Sequence, residues 1–256
     1  MNSRKENERI VTLGVIAVPV IILILWQFGS MIIGELALPS PFETFSVLEE
    51  GLITDRWLLS DLKDTMVELL LGFLFAAVTG LAVGFALGMY RLLRDIMEPF
   101  VLNIYAIPKV TLFPIFLIIF GLGMESKIAF AFFHGVFPII IVTMGAIKDI
   151  NDVYLRVGRS FRLNPLQVYK EIVFPSILPS LMTGLRLGFN LSFVGVILGE
   201  MAASRSGLGY MLMKSEELFY MEKVLSIVIV LTVIAIAVNY SFYSFEMRLI
   251  KSRTMS

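Results

Sequence analysis

The chain consists of long uncharged runs of apolar residues separated by shorter polar segments. No Asp, Glu, Lys or Arg occurs between Arg9 and Glu35 or from Leu69 to Tyr90. A helix that spans a bilayer needs about 20 predominantly apolar residues, whereas a lipid-exposed strand would alternate and require a closed barrel. The pattern therefore predicts an all-α integral membrane protein with six transmembrane helices. Their expected ranges are 12–33, 66–89, 100–120, 128–147, 184–203 and 224–245.

Composition supports this class and excludes several others. Apolar residues make up 57% of the chain and charged residues 16%, with a mean hydropathy of +0.86, while soluble proteins average about 45–50% and about 25%. The 21 basic and 21 acidic residues balance, which gives no overall attraction to nucleic acid. With no cysteine and one histidine, little remains for a metal site or an intramembrane enzyme. We expect one membrane domain over residues 1–256.

The placement of Lys and Arg predicts the orientation of the helices. With the N-terminus in the cytoplasm, the inner segments carry roughly twice as many Lys and Arg residues as the outer ones. Both termini are therefore expected on the cytoplasmic side. Residues 148–183 then form the largest cytoplasmic segment.

This cytoplasmic segment is predicted to fold as a basic helix-turn-helix. Asn164 followed by Pro165 is a typical start for its second helix. Phe174-Pro175 and Leu178-Pro179 are expected to end that helix before the fifth span, because proline removes a helical hydrogen bond. Candidate N-caps for the first helix are Asp149, Asn151 and Asp152.

One face of the first helix is predicted to be apolar, since Val153, Val157 and Phe161 follow one another at intervals of four residues. Such a face must be covered. Either a partner protein or the chain's own membrane domain could cover it, and the residues alone leave both arrangements open.

The same segment resembles the EAA loop of the permeases of ABC importers, and is most similar to the nitrate, sulfonate and taurine group. The resemblance lies in Val173-Phe174-Pro175, Leu178-Pro179 and Gly184-Leu185-Arg186. Four further pieces agree with this group in order and spacing, so that the resemblance covers roughly residues 36–245. They are Leu38-Pro39-Ser40-Pro41; Ile107-Pro108-Lys109 with Leu112, Pro114, Phe120-Gly121-Leu122-Gly123 and Ser126-Lys127; Gly199-Glu200; and Ser206-Gly207-Leu208-Gly209-Tyr210.

The resemblance implies a type I ABC importer permease fold with residues 148–183 as the coupling loop. Two permease subunits, this chain with a second copy or a paralogue, would form the solute pathway. Two ATP-binding subunits would dock on the loops, and an extracytoplasmic substrate-binding protein would deliver the solute. The residues implied in docking are Arg156, Val157, Gly158, Arg159, Phe161, Arg162, Asn164, Pro165 and Pro175.

The chain contains no G-x-x-x-x-G-K-[ST] phosphate loop. ATP is therefore expected on the partner, no cofactor is expected on this chain, and the chain is not expected to be an enzyme. The resemblance further implies a place in the cytoplasmic membrane of a prokaryote, contact with lipid, and import of a small organic or inorganic anion or a related nutrient. The alternative is a stand-alone secondary transporter or channel.

The loop departs from the family pattern at two positions. Counting back from Pro175 at the family's spacing puts the loop's glycine on Arg162 and its Glu-Ala-Ala on Arg156-Val157-Gly158. A residue other than glycine loses about 1 kcal/mol or more when its φ is positive. We therefore expect the turn to shift toward Asn164.

Charged residues within the spans are candidates for function, because they are costly in a membrane. Lys109 and Arg186 either line an anion pathway or extend toward the inner face. Glu200 either takes part in gating or pairs with Arg205. Glu68 is expected at the membrane interface.

Two further features of the spans are predicted to serve packing. His134 lies among phenylalanines and has no acidic neighbour in sequence, so we expect it to be packed, and no metal site is predicted. Gly80, Gly84 and Gly88 form a stripe of small residues that lets another helix approach closely. That helix is expected to belong to the same chain, with a subunit contact as the alternative.

Overall fold

The computed structural model describes residues 2–54 and 56–254, and in these ranges the chain is almost entirely helical. The first half contains α1 to α5, namely Asn2–Ile33, Pro41–Glu49, Trp57–Met89, Arg91–Ala106 and Phe113–Phe120. The second half contains α6 to α11, namely Met124–Lys148, Asp152–Ser160, Pro165–Gln167, Phe174–Ala203, Leu208–Glu217 and Met221–Thr254. Short helical turns of other pitch occupy Glu50–Thr54, Lys109–Leu112 and Val168–Val173.

Four of the described helical stretches are long and apolar enough to cross a membrane. They are Trp57–Met89, Met124–Lys148, Val168–Ala203 and Met221–Arg248. A fifth crossing would join Arg91–Ala106 to Lys109–Phe120, which meet at an angle of 86°. Pro108 lies at this bend and cannot continue the hydrogen bonding of the helix before it.

The first predicted span, 12–33, coincides with part of α1. Within the described side chains its apolar stretch, Ala17–Ile33, is shorter than a full crossing. The structure therefore supports four spans, or five with the bent pair, and the count of six stays a prediction.

The chain divides into two compact units. The first comprises the chain up to Ser60 together with Met211–Leu231, and the second comprises Asp61–Tyr210 with the chain from Thr232 onward. In the first unit, Ser40 and Glu43 form a reciprocal capping box that starts α2. The Trp26 indole N–H donates to the Pro39 carbonyl at 2.9 Å. These contacts account for the Leu-Pro-Ser-Pro element as the start of a helix.

Within the second unit, α3 lies close to α6 along the predicted glycine stripe. A Cβ on Gly80 would lie 2.8 Å from Ile139, one on Gly84 2.6 Å from Thr143, and one on Gly88 2.8 Å from Ile147. Side chains at these positions would push the two helices apart. The stripe therefore packs within the chain, as predicted.

The predicted helix break at Phe174-Pro175 and Leu178-Pro179 is wrong. The chain from Pro165 through a π-helical turn at Val168–Val173 into α9 is continuous helix. In that turn the Phe174 N–H reaches back to the Tyr169 carbonyl, five residues earlier. This wider turn directly precedes Pro175, which stands in the first turn of α9, and such wide turns absorb irregularities in the backbone bonding of a helix.

Candidate functional site

The segment between α6 and α9, called here the hairpin (residues 151–173), begins with a side-chain cap. Asn151 Oδ1 accepts a hydrogen bond from the Val153 N–H at 2.9 Å, and α7 follows. The hairpin has two limbs: α7 is the first, and the helical stretch from Pro165 to Val173 is the second. At the start of the second limb, the Asn164 and Gln167 side chains each accept the other's backbone N–H at 2.9 Å. This reciprocal capping box starts α8, where Pro165 takes the first helical position. Both helix starts lie where the sequence predicts them.

The turn between the two limbs is held at Arg162. Its φ is +54°, in the left-handed region that glycine usually occupies at the end of a helix. The Leu163 N–H donates to the Gly158 carbonyl at 3.1 Å, which closes the C-terminus of α7 in the manner of a Schellman motif. The expected shift of the turn toward Asn164 is wrong, because Asn164 is already committed to capping α8.

Gly158 lies on the face of α7 that packs against the π-helical turn of the hairpin. This residue is buried, and a Cβ there would lie 2.7 Å from Ile172 Cδ1 in the π-helical turn. Gly158 therefore allows α7 to lie directly on the second limb.

The predicted apolar face of α7 is exposed. Val153 and Val157 are about half exposed, and Phe161 is 75% exposed. Tyr154 and Leu166 add exposed apolar surface nearby. Of the two arrangements that the sequence leaves open, cover by the chain's own membrane domain is thus not the one that the described residues adopt.

Basic residues accompany this apolar surface. Arg156 and Arg162 are exposed, and within the described part of the chain neither lies within ion-pair distance of a carboxylate. The side chains of Arg159 and Pro165, also implied in docking, lie outside the described residues. Pro175 stands in α9, beyond the hairpin.

A second arrangement of polar residues lies at the opposite end of the second unit, where α3 and α6 begin and α9 ends. Glu200 is completely buried and accepts hydrogen bonds from Thr65 Oγ1 and the Gly209 N–H, each at 2.7 Å. Thr65 Oγ1 accepts the Leu208 N–H at 2.8 Å, and Asp61 accepts the Gly207 N–H at 2.7 Å. We call these residues the glycine-turn cluster: Asp61, Thr65, Glu200 and Gly207–Gly209.

Two charged residues adjoin this cluster. Glu68 is buried beside Glu200, and Lys127 lies close enough to interact with both carboxylates. The Lys127 ammonium also donates to the carbonyls of Leu122 and Gly123 at 3.1 Å each. Glu68 follows Thr65 by about one turn on the packed side of α3, and its expected place at the membrane interface stays a prediction.

The alternative partner proposed for Glu200 is wrong. Among the described residues no ion pair joins Glu200 to Arg205. The Glu200 carboxylate is instead occupied by Thr65 and the backbone of the following turn. Whether it also takes part in gating stays a prediction.

The two basic candidates for the solute pathway both have partners. Lys109 Nζ donates to the Tyr105 carbonyl at 2.8 Å and lies 4.4 Å from the centre of the Tyr105 ring, so it closes the C-terminal end of α4. Arg186 Nη1 lies 3.8 Å from Glu246 Oε2 on α11. A pathway role for either residue stays a prediction.

His134 is packed, as expected. The ring is buried, and its centre lies 4.3 Å from that of Phe130. Nδ1 lies 3.0 Å from the Phe130 carbonyl one turn earlier.

Sequence reasoning missed the polar partners on neighbouring helices. Asn190 and Asn239 exchange two amide hydrogen bonds at 3.1 and 2.8 Å, and Thr183 donates to Glu246 at 3.2 Å. A signal was present in the spacing: polar residues recur at helical intervals in α3 and again in α9, which marks one polar side on each helix. They are Asp61, Thr65 and Glu68, and Thr183, Arg186 and Asn190.

Comparison with known proteins points to one family. The family profile described as "Binding-protein-dependent transport system inner membrane component" matches residues 68–253. The taurine transport system permease TauC of Escherichia coli K12 is 26% identical over 248 residues, covering 94% of this chain and 90% of that protein. The nitrate import permease NrtB of Synechococcus elongatus is 30% identical over 199 residues, covering 74% and 71%.

Solved structures show a similar fold. A structure of the MetNI methionine ABC transporter in an inward-facing conformation aligns with a TM-score of 0.64 at 18% identity. The alignment covers 75% of this chain and 96% of that one. A second crystal form of the same transporter gives a TM-score of 0.66.

Proposed function

The chain belongs to the family of binding-protein-dependent transport system inner membrane components, and on this premise we propose how it works within an ABC importer. It forms the solute pathway across the membrane and receives the force of ATP hydrolysis through the hairpin. A separate ATP-hydrolysing subunit binds there, and this chain carries no nucleotide.

The observation that carries this proposal is the exposed face of α7. Gly158 holds one side of α7 against the second limb, while Val157 and Phe161 remain uncovered on the other side. Exposed apolar side chains on a short capped helix fit a groove on a partner protein. Capping at both Asn151 and Asn164 makes the hairpin a rigid element, suited to transmit a displacement to α6 and α9.

The proposed assembly contains two copies of this chain, or this chain with a paralogue, and two ATP-hydrolysing subunits. An extracytoplasmic binding protein supplies the solute. We place the complex in the cytoplasmic membrane of a prokaryote with both termini in the cytoplasm, which is the orientation favoured by the distribution of Lys and Arg.

The proposed solute is a small anion or a related nutrient. The support is the similarity to TauC, a permease of a taurine transport system, and to NrtB, a permease for nitrate import. Lys109 and Arg186 are two basic residues of the spans predicted from the sequence, and in this proposal they attract such a solute once their present partners are exchanged for it.

Affinity purification in mild detergent tests this proposal. The full chain is expressed together with its native operon, and the associated subunits are identified and their stoichiometry measured. We expect a subunit that hydrolyses ATP at two copies per two membrane chains. Phe161→Ser should release that subunit, whereas Phe42→Ser, at an exposed residue of α2, should retain it.

Two outcomes would contradict the proposal. One is a membrane chain that purifies without any ATP-hydrolysing subunit and moves solute in proteoliposomes, which would favour a secondary transporter or channel. The other is an ATP-hydrolysing subunit that stays bound to both serine variants equally.

A further inference from the structure

The hairpin carries a net positive charge. From Asp152, the first residue of α7, to Asn164 the sequence has three arginines and one acidic residue, Asp152 itself. On the following limb Lys170 and Glu171 offset each other. The net positive charge of the hairpin is therefore concentrated on α7 and its turn, next to the exposed apolar face.

Arg162 is held in a backbone conformation that disfavours it. With φ at +54°, it takes a position where glycine would be more stable, because an L side chain crowds the backbone in the left-handed region. Residues that persist in such conformations are found preferentially at functional sites. The Arg162 side chain is exposed, so the stability lost there is not recovered by packing within the described chain.

Arg156 points to the same surface. Two positions along an α-helix differ by about 200°, so Arg156 lies on the side of α7 away from the buried Gly158. That outward side also carries Val153 and Val157. No described carboxylate lies within ion-pair distance of Arg156. Its charge is thus displayed toward whatever covers the apolar face.

We propose that the ATP-hydrolysing subunit which binds this hairpin surrounds an apolar groove with carboxylates that pair with Arg156 and Arg162. This inference rests on the proposed function and adds the chemistry of the partner. Charge at the edge of an interface governs the choice of partner and the rate of association. A subunit that placed basic groups opposite Arg156 would be excluded by repulsion between like charges.

Binding of purified ATP-hydrolysing subunit to this chain in nanodiscs tests the proposal. The probe is the subunit that co-purifies with the wild-type chain, and the Kd is measured at 50 and 300 mM NaCl. Because salt screens charges at an exposed interface, we expect the Kd to rise about tenfold between the two conditions. Arg156→Glu should raise the Kd at low salt by about tenfold or more and flatten the salt dependence.

Three further variants separate charge from folding. Arg162→Gly should weaken binding severalfold while leaving the hairpin at least as stable, because glycine prefers the left-handed conformation. Arg162→Glu should weaken binding more than Arg162→Gly. Lys170→Glu reverses an exposed charge outside α7 and its turn. It should change the Kd less than twofold, because a charge that does not face the partner has little effect on binding.

Other results would overturn the inference. If the wild-type chain binds the subunit but neither salt nor the arginine variants change the Kd, the partner is not acidic and the proposed function stands. If no ATP-hydrolysing subunit binds the wild-type chain, both proposals fail. If the arginine variants change the Kd only in nanodiscs that contain phosphatidylglycerol, and not in nanodiscs of phosphatidylcholine alone, the basic residues serve the membrane surface.

Discussion

The Glu200 carboxylate accepts the backbone N–H of Gly209, nine residues later, at 2.7 Å, and this bond joins the Gly199-Glu200 motif to the glycine turn that follows it. The adjoining amides of Gly207 and Leu208 donate to Asp61 and Thr65. Three successive N–H groups at the start of α10 are thus satisfied by side chains. The N-terminus of a helix favours a carboxylate in this position, so the cluster fixes the turn after α9 to the beginning of α3.

Thr65→Val is expected to destabilise the second unit. Thr65 Oγ1 donates to Glu200 and accepts from the Leu208 N–H, so valine leaves two buried groups without partners. Each unsatisfied group costs about 1–3 kcal/mol. Unfolding by SDS in mixed micelles should therefore show a loss of about 2 kcal/mol or more.

Thr143→Val is the matched control for this substitution. Thr143 is also buried, but its hydroxyl has no hydrogen-bond partner among the described residues, so valine should leave the unfolding free energy unchanged or raise it. Equal losses from Thr65→Val and Thr143→Val would mean that the hydrogen bonds of Thr65 contribute nothing specific.

Gly207→Ala is expected to disrupt the same turn by a different mechanism. The φ of Gly207 is +103°, and a Cβ there would collide with the Glu200 carboxylate. The backbone alone accounts for about 1 kcal/mol, and displacement of Glu200 adds to it. Circular dichroism during thermal unfolding should show a lower midpoint. Gly145→Ala is the control, because a Cβ on Gly145, which lies in a helix, would have no described atom within 4 Å. This substitution should keep or raise the midpoint, with a gain in stability of up to about 1 kcal/mol.

Features encoded in a few neighbouring residues were predictable from the sequence. Asn151 and Asn164 start helices where expected, since an N-cap needs only the residues that follow it. Whether the helix ends at Pro175 was not predictable in this way, because a π-helical turn before Pro175 allows the helix to continue. The turn at Arg162 was predicted wrongly because local preference for glycine was weighed without the capping role of Asn164.

Contacts between distant parts of the chain could not be predicted from spacing. Glu200 and the glycine turn were recognised as motifs, yet Thr65, which bonds to both, is separated from Glu200 by 135 positions. Nothing in periodicity selects one distant helix over another. The polar spacing along α3 indicated a polar side, but only the packing of α3 against α6 and α9 shows which residues that side faces.

Gly84→Ala is expected to weaken the contact between α3 and α6. Its Cβ would lie 2.6 Å from Thr143 Cβ and 3.0 Å from the Ile140 carbonyl, and overpacking of this kind costs about 1–3 kcal/mol. The loss should appear in the SDS unfolding free energy of the monomer. If Gly84→Ala instead changed only the monomer–dimer equilibrium, measured by light scattering, the glycine stripe would be a subunit contact.

Arg186→Gln and Glu246→Gln are expected to destabilise the contact between α9 and α11 when made singly, because each leaves a partly buried charge without its partner. The two residues approach to 3.8 Å, and Thr183 also donates to Glu246, a bond that glutamine can still accept. The double variant should recover stability, with a coupling energy of about 1 kcal/mol in a double-mutant cycle.

The same cycle separates a structural role of Arg186 from a role in the solute pathway. Transport is measured in proteoliposomes that contain the complete complex. We expect the double variant to recover stability but not transport, because the solute then lacks the Arg186 guanidinium. Recovery of transport together with stability would show that Arg186 only pairs with Glu246 and has no part in the solute pathway.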